Sequence, residues 1–491
     1  MTILKQETIS ALGWSASTRI GTQFVQFILF IILARLLTPS DFGLVAMVMV
    51  FTGFADLFSD LGFGPSIVQK KEIDDRLLSS IFWLNVGTGL VTTLIMFSVS
   101  PFISTFYNEP RLRPLVIIIS STFFLGSFGI VQRTLFQRMM DFRSLLIISL
   151  ATNILSGIIT IILVLNGFGF WSLAWHSLIS CLVLVILTWQ ISPWKPSFSF
   201  DKKAVKEVTN FSGSILGFSI FNYWVRNGDN FLIGKFFNAA ALGIYSRAYN
   251  IMLLPLHQIS WVVGQVMFVS LSRIQDDKVF VKQVYLRTVR AIALITFPMM
   301  LGLFVVADSF VLTLLGNQWV DVILILRIFC IGGMIQSIST TVGLIFNSQG
   351  RADILFIWGS AAGVLLMSSF VVGILIGNIV ALALCYTIME CVILLYPSFA
   401  IPGRLINLSF FEVVKSVTGV FMCALVMSVG VYLFGTLLPP GCSHWLQLLS
   451  KTSTGIILYF IFITLFKLEA YLDLQTLCRE QWKLHHPAIS Q

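Results

Sequence analysis

Ala34-Arg35-Leu36-Leu37-Thr38-Pro39-Ser40-Asp41-Phe42-Gly43-Leu44 returns at an offset of 200 as Gly234-Lys235-Phe236-Phe237-Asn238-Ala239-Ala240-Ala241-Leu242-Gly243-Ile244. Each copy closes one apolar run with a cation and opens the next with a glycine between apolar residues. In the first copy Thr38 stands as N-cap, Pro39 at the first helical position and Asp41 two residues on, a helix start of the capping-box kind. A second pairing, at an offset of 208, sets Phe102-Ile103-Ser104-Thr105 beside Phe310-Val311-Leu312-Thr313, and Phe142-Arg143 beside Gly350-Arg351. Two matches in register with the helices placed below point to a duplicated unit.

Around these motifs the chain is 57% hydrophobic and 11% charged, with 44 Phe and 12 Trp. Soluble domains carry about 25% charged residues. A membrane span needs about 20 mostly apolar residues. That window places helices near 15–37, 42–64, 77–100, 114–132, 144–165, 168–190, 210–233, 242–268, 288–308, 321–346, 354–376, 378–400, 416–438 and 450–466. The fold class is therefore an all-α polytopic membrane protein of about fourteen transmembrane helices. The organisation read from the repeat is a six-helix lobe over 1–200, a second over 201–403, and two additional helices with a tail over 404–491. An even helix number per unit keeps both copies in the same orientation, related by an axis along the membrane normal.

The side of each loop follows from lysine and arginine. With the N-terminus inside, 22 of the 31 cations fall on the cytoplasmic side. Only Arg111, Arg113, Lys235 and Lys451 fall outside, while Arg19, Arg35, Arg226, Arg247 and Arg327 lie within or at the ends of spans. Both termini are expected in the cytoplasm, and the apolar run after Glu7 is too long for a cleaved signal peptide. This asymmetry accounts for the net charge of +9 without a nucleic-acid partner. The basic stretches Ile191–Thr209 and Ser272–Arg287 are expected as loops on anionic headgroups, or as plain positive-inside sorting. Seven cysteines form no CxxC pair or metal spacing and read as small buried hydrophobes.

Ionisable groups inside a span are costly, and they face protein or water. On helix 1, Arg19, Thr22, Gln23 and Gln26 share one face at i, i+3, i+4 and i+7. Ser219, Asn222, Tyr223, Arg226, Asp229 and Asn230 repeat that stripe on helix 7, at the same offset of 200. Thr52, Asp56, Ser59 and Asp60 mark helix 2; Asn250, His257, Trp261 and Gln265 mark helix 8. Four such stripes point to a wet cavity between the halves. Bland alternatives stand beside this reading. Arg226 and Asp229 at i, i+3 read equally as a self-neutralising pair, and Arg19 as a snorkelling cation. Asp56 or Asp60 reads as a buried protonated carboxyl, and His257 as a satisfied core histidine. Glu390 stands alone in helix 12, close to its cytoplasmic end, and receives no role. The candidate substrate-binding residues are thus Arg19, Gln23, Gln26, Asn222, Arg226 and Gln265, and the candidate coupling-ion residues Asp56, Asp60 and Asp229. No catalytic residue, cofactor or metal ligand is read, because the chain has no P-loop, zincin helix or Gly-x-Ser-x-Gly elbow.

The runs Gly13-Trp14-Ser15, Ala34 to Leu44, Phe58-Ser59-Asp60-Leu61-Gly62-Phe63-Gly64 and Val68-Gln69-Lys70-Lys71 resemble bacterial Wzx-type polysaccharide flippases. The branch they resemble is that of the colanic-acid and teichuronic-acid transporters. Leu242 to Tyr249 and Leu314-Leu315-Gly316-Asn317-Gln318-Trp319 are similar to the same pattern, so the resemblance spans roughly residues 10–400. One departure is Phe268-Val269, where relatives often carry Phe-Pro. The resemblance implies the multidrug/oligosaccharidyl-lipid/polysaccharide exporter fold in the inner membrane. It implies a lipid-linked oligosaccharide on undecaprenyl diphosphate as substrate, moved to the periplasmic leaflet by alternating access. A cationic cavity coupled to protons or sodium goes with it, as do a polymerase and a chain-length regulator as pathway partners. Arg19 and Arg226 match positions able to supply that charge. A drug or metabolite antiporter on the same fold is the alternative; a membrane polymerase or ligase would need a large outer loop.

Overall fold

In the computed structural model the described residues are 2–59, 67, 74–199, 202–439, 441–469 and 471–473, and among them there is no strand. The side chains of Arg19, His257, Trp261 and Gln265, and the whole of Asp60, lie outside what is described. The helices are α1 (Thr2–Leu36), α2 (Pro39–Ser59), α3 (Asp75–Tyr107), α4 (Leu112–Arg138), α5 (Phe142–Leu165), α6 (Trp171–Ile191) and α7 (Lys202–Phe236). They continue as α8 (Ala239–Arg273), α9 (Lys278–Leu314), α10 (Val322–Ser348, stepped at Thr340–Thr341), α11 (Ala352–Ile376), α12 (Ile379–Ile406), α13 (Phe410–Leu437) and α14 (His444–Leu465). Among the described residues eleven of these are long and apolar enough to cross a membrane, and the described apolar part of α1 is the shorter Ile20–Leu36. By contacts the chain forms two compact units, 1–243 and 244–491.

The capping box at Thr38 forms as read. The Thr38 N–H donates to Asp41 Oδ2 at 2.8 Å, and the Asp41 N–H to Thr38 Oγ1 at 3.4 Å. At the repeat-equivalent position Asn238 Oδ1 accepts the Ala241 N–H at 2.8 Å, so α8 is capped the same way by a different residue. The Pro39–Gly43 end of α2 and the 239–243 segment meet backbone to backbone. A methyl at Gly43 would fall on the Ala239 carbonyl, and one at Gly243 on the Pro39 carbonyl. This explains why glycine stands at both positions, since small residues let helix backbones approach.

Within the first unit α3 packs along α4, α1 along α5, α6 along α4 and α5, and α7 along α2 and α3. In the turn between α3 and α4, Arg111 Nε donates to Glu109 Oε1 at 2.8 Å. That guanidinium holds the Glu109 carboxyl below the usual carboxylate range. Within the second unit α9 runs through the middle, flanked by α10, α13 and α14. Hydrogen bonds between α9 and α10 join Tyr285 Oη to Thr341 Oγ1 at 2.8 Å and Thr296 Oγ1 to Ser337 Oγ at 2.9 Å. Tyr459 Oη of α14 donates to the Leu294 carbonyl of α9 at 2.7 Å.

The second basic stretch differs from the expected headgroup loop. Only the turn around Ile274–Asp277 is non-helical, and Asp277 caps α9 by accepting the Phe280 N–H at 3.0 Å. Two of its cations pair with carboxylates, Lys282 with Glu412 at 2.5 Å and Arg287 with Asp473 at 4.0 Å, and just beyond it Arg290 pairs with both Glu469 and Asp473. Apolar windows cannot foresee this, because the partners lie more than a hundred residues downstream. Likewise the stretch from Ile191 is, among the described residues, non-helical over 192–199, and α7 has begun by Lys202.

Candidate functional site

The polar stripes of α2 and α7 lie on helices that pack against each other in the first unit. Their antiparallel register is set by aromatics. Tyr223 Oη donates to the Val50 carbonyl at 2.6 Å, and Phe54 lies 5.9 Å from Tyr223 and 5.3 Å from Trp224 by ring centroid. Further along, Phe51 meets Phe231 at 5.9 Å. Gly53 makes room for Tyr223, since a Cβ there would stand 2.7 Å from the phenol oxygen. Tyr223, read from the sequence as a cavity residue, is thus a helix-to-helix contact.

One turn from Gly53, Asp56 is exposed and within electrostatic reach of Tyr223. One turn from Tyr223, Arg226 is exposed as well, and Asn222 is half-buried. Asp229 is only 5% exposed, and its Oδ1 accepts the Asn230 N–H at 2.7 Å. Among the described residues no ion pair joins Arg226 to Asp229, so the self-neutralising pair does not form: the i, i+3 spacing is right, but one side chain faces out and the other in. On α1, Gln26 Nε2 donates to Asn153 Oδ1 of α5 at 3.1 Å, and Gln23 is half-buried. The structure therefore sets the helices that carry the α2 and α7 stripes side by side, and one amide N–H of Gln26 bonds α5.

Two buried amides escaped the sequence reading. Asn85 of α3 is 0% exposed and Gln132 of α4 is 1% exposed, and among the described residues neither amide has a hydrogen-bond partner. Their signal in the sequence is an amide inside an apolar run, too weak to rank above the charged positions. In the second unit a depression of about 500 Å³ is lined by Asp308, Asp321, Arg327 and apolar residues of α8, α10 and α12. Arg327 pairs with Asp308 there at 2.5 Å, so its charge is met by a carboxylate.

The model of a family described as polysaccharide biosynthesis proteins matches residues 32–324. The chain belongs to that family. The teichuronic acid biosynthesis protein TuaB of Bacillus subtilis (strain 168) is 28% identical over 80% of this chain and 82% of its own length. The lipopolysaccharide biosynthesis protein WzxC of Escherichia coli (strain K12) is 26% identical over 89% of each chain. The succinoglycan biosynthesis transport protein ExoT of Rhizobium meliloti (strain 1021) is 26% identical over 92% of each. The resemblance to Wzx-type transporters is thereby borne out. This polysaccharide biosynthesis protein also shares the fold of two solved transporters. The lipid II flippase MurJ, in an inward closed conformation, superposes with a TM-score of 0.72 over 93% of this chain and 99% of its own, at 16% identity. An inward-facing MATE multidrug transporter gives 0.60 over 83% and 94%, at 12% identity.

Proposed function

We propose that this chain carries an undecaprenyl-diphosphate-linked oligosaccharide from the cytoplasmic to the periplasmic leaflet of the inner membrane by alternating access. The observation that carries the reading is membership of a family whose relatives, matched over nearly the whole chain, are named for polysaccharide and lipopolysaccharide biosynthesis and transport. The chain acts as a transporter rather than an enzyme, feeding a polymerase and a chain-length regulator. All fourteen helices span the membrane, and 1–200 and 201–403 are copies of one six-helix lobe, followed by the two helices of 404–491. Both termini are cytoplasmic. Reporter fusions after Asn166 and Phe237 are then expected to read periplasmic, and those after Lys203 and Lys278 cytoplasmic. A cytoplasmic signal after Phe237 would remove α7 from the set of spans.

In this reading Arg19 and Arg226 hold the diphosphate, with Gln23, Gln26, Asn222 and Gln265 as polar contacts to the sugar. Asp56, Asp60 and Asp229 carry the coupling ion. A guanidinium suits a phosphate because it stays charged and offers several fixed donors. The exposed Arg226 supports this role. The second reading, a drug or metabolite antiporter, is favoured by the MATE-like fold. One experiment separates them: delete the gene and extract the lipids. Accumulation of a lipid-linked oligosaccharide on the cytoplasmic leaflet, cleared by a plasmid copy, is the expected result. Normal oligosaccharide lipids with altered drug sensitivity would favour the antiporter.

A further inference from the structure

The apolar span α12 holds a carboxyl that the proposed function does not use. At a rise of about 1.5 Å per residue, Glu390 lies about 16 Å along the helix from Ile379. Within the 28-residue span Ile379–Ile406 that is short of the midpoint, rather than close to the cytoplasmic end expected from the sequence. The helix changes winding there: Met389–Leu394 forms a π turn, a rare geometry that recurs at functional sites. Among the described residues Glu390 has no ion pair and no hydrogen bond, and it is half-buried. An unpaired carboxylate at such depth is costly, and a span keeps one only where something compensates.

The neighbours of Glu390 supply unspent oxygens. Thr387, one turn before Glu390, is 6% exposed and faces α10 at Gly332, where an added methyl would stand 3.5 Å from Thr387 Oγ1. Gln336 lies one turn further along α10, and its Nε2 donates to Tyr249 Oη of α8 at 3.4 Å. Among the described residues neither Thr387 Oγ1 nor Gln336 Oε1 has a hydrogen-bond partner, although both atoms are buried. Buried polar atoms in this condition mark a missing group or a functional role. Tyr386 lies within electrostatic reach of Glu390 and packs against Tyr249 at 6.1 Å, Phe329 at 6.0 Å and Phe370 at 5.8 Å. Among the described residues no charged group of α8, α10 or α11 acts on Glu390; its titratable neighbours are Tyr386 and Cys391 on α12, and Tyr245 and Tyr249 behind Tyr386.

We propose that Glu390 is a proton-carrying carboxyl of the second unit, served by Gln336 and Thr387. In the neutral form its O–H is a donor for Gln336 Oε1 or Thr387 Oγ1. After the proton leaves to water, the Thr387 hydroxyl turns and donates to the carboxylate. Both protonation states gain partners once these side chains rotate toward one another. A proton taken up and released here provides a second coupling point besides the carboxylates of α2 and α7. That use rests on the transport reading; the titration itself does not.

The test needs no substrate. The full-length protein in vesicles of phosphatidylethanolamine and phosphatidylglycerol is treated with dicyclohexylcarbodiimide. The O–H of a protonated carboxyl adds across the carbodiimide and the acyl group then shifts to nitrogen, leaving a stable N-acylurea with every atom retained. Mass spectrometry of the Glu390 peptide should show labelling that falls about tenfold per pH unit once the group ionises. Labelling should be absent in Glu390→Gln and unchanged when sodium replaces potassium at constant pH. Replacing both oxygens, with Gln336→Leu and Thr387→Val, should shift the pH at which labelling falls. No labelling, labelling independent of pH, protection by sodium, or an unshifted profile in the double variant would each overturn the proposal. Any of these results leaves the lipid-accumulation experiment untouched.

Discussion

Replacing Arg226 by Gln is expected to abolish polymer export while the protein still inserts at normal levels. A charge-assisted hydrogen bond is worth about 1.5–3 kcal/mol. At about 1.4 kcal/mol per decade, losing one weakens the hold on a diphosphate by roughly 10- to 150-fold. Arg226→Lys should retain part of the transport, because a point charge remains without the planar fork. The competing account, in which Arg226 only neutralises Asp229, predicts that Arg226→Gln with Asp229→Asn restores export. The structure argues against rescue: Arg226 is exposed, Asp229 is 5% exposed, and no ion pair joins them. Export measured in the double variant, with membrane levels checked by immunoblot, decides the matter. Recovery would end the phosphate role of Arg226.

The second large effect falls on the paired glycines. Gly43→Ala and Gly243→Ala each place a methyl on a backbone carbonyl, of Ala239 and Pro39 respectively. No side chain can rotate away, so the backbones themselves must separate. Overpacking typically costs about 1–3 kcal/mol, which is up to about 150-fold in the folded population at 1.4 kcal/mol per decade. Both variants should lose thermal stability in detergent and show reduced amounts in the membrane. Gly87→Ala is the matched control, since a Cβ there meets nothing within 4 Å. Melting of Gly43→Ala at the same temperature as Gly87→Ala would refute the close contact.

The legible part of this molecule was whatever a local pattern dictates. Apolar runs gave the all-helical membrane class, and Thr38-Pro39-Ser40-Asp41 gave a helix start that forms as read. The repeat pointed to Gly43 and Gly243 without saying what presses on them. Periodicity identified the polar face of α7, but not that Tyr223 would leave it to bond α2 at Val50. A face has no address until its neighbour is known. For the same reason the sequence offers the cations of the α9 start only headgroups or plain positive-inside sorting, since their carboxylate partners, Glu412, Glu469 and Asp473, lie far along the chain. Glu390 stands alone in an apolar run, so no periodic pattern gives it a role. Its π turn is invisible to residue counting, which assumes α-helical winding throughout a span.

The π turn also bears on how α12 tolerates changes in length. Removing one residue from an ordinary α-helix rotates everything beyond the cut by about 100°, at 3.6 residues per turn, and turns apolar side chains to the wrong partners. Within Met389–Leu394 the helix already holds a surplus residue, wound into the wider turn. A single deletion there can be absorbed by tightening to α geometry, so Phe399 and Pro402 keep their buried faces. The same deletion placed among Ile379–Ile388 would carry Tyr386 and Thr387 out of their packing. The span thus has one place where chain length and side-chain orientation are decoupled, and it coincides with its carboxyl.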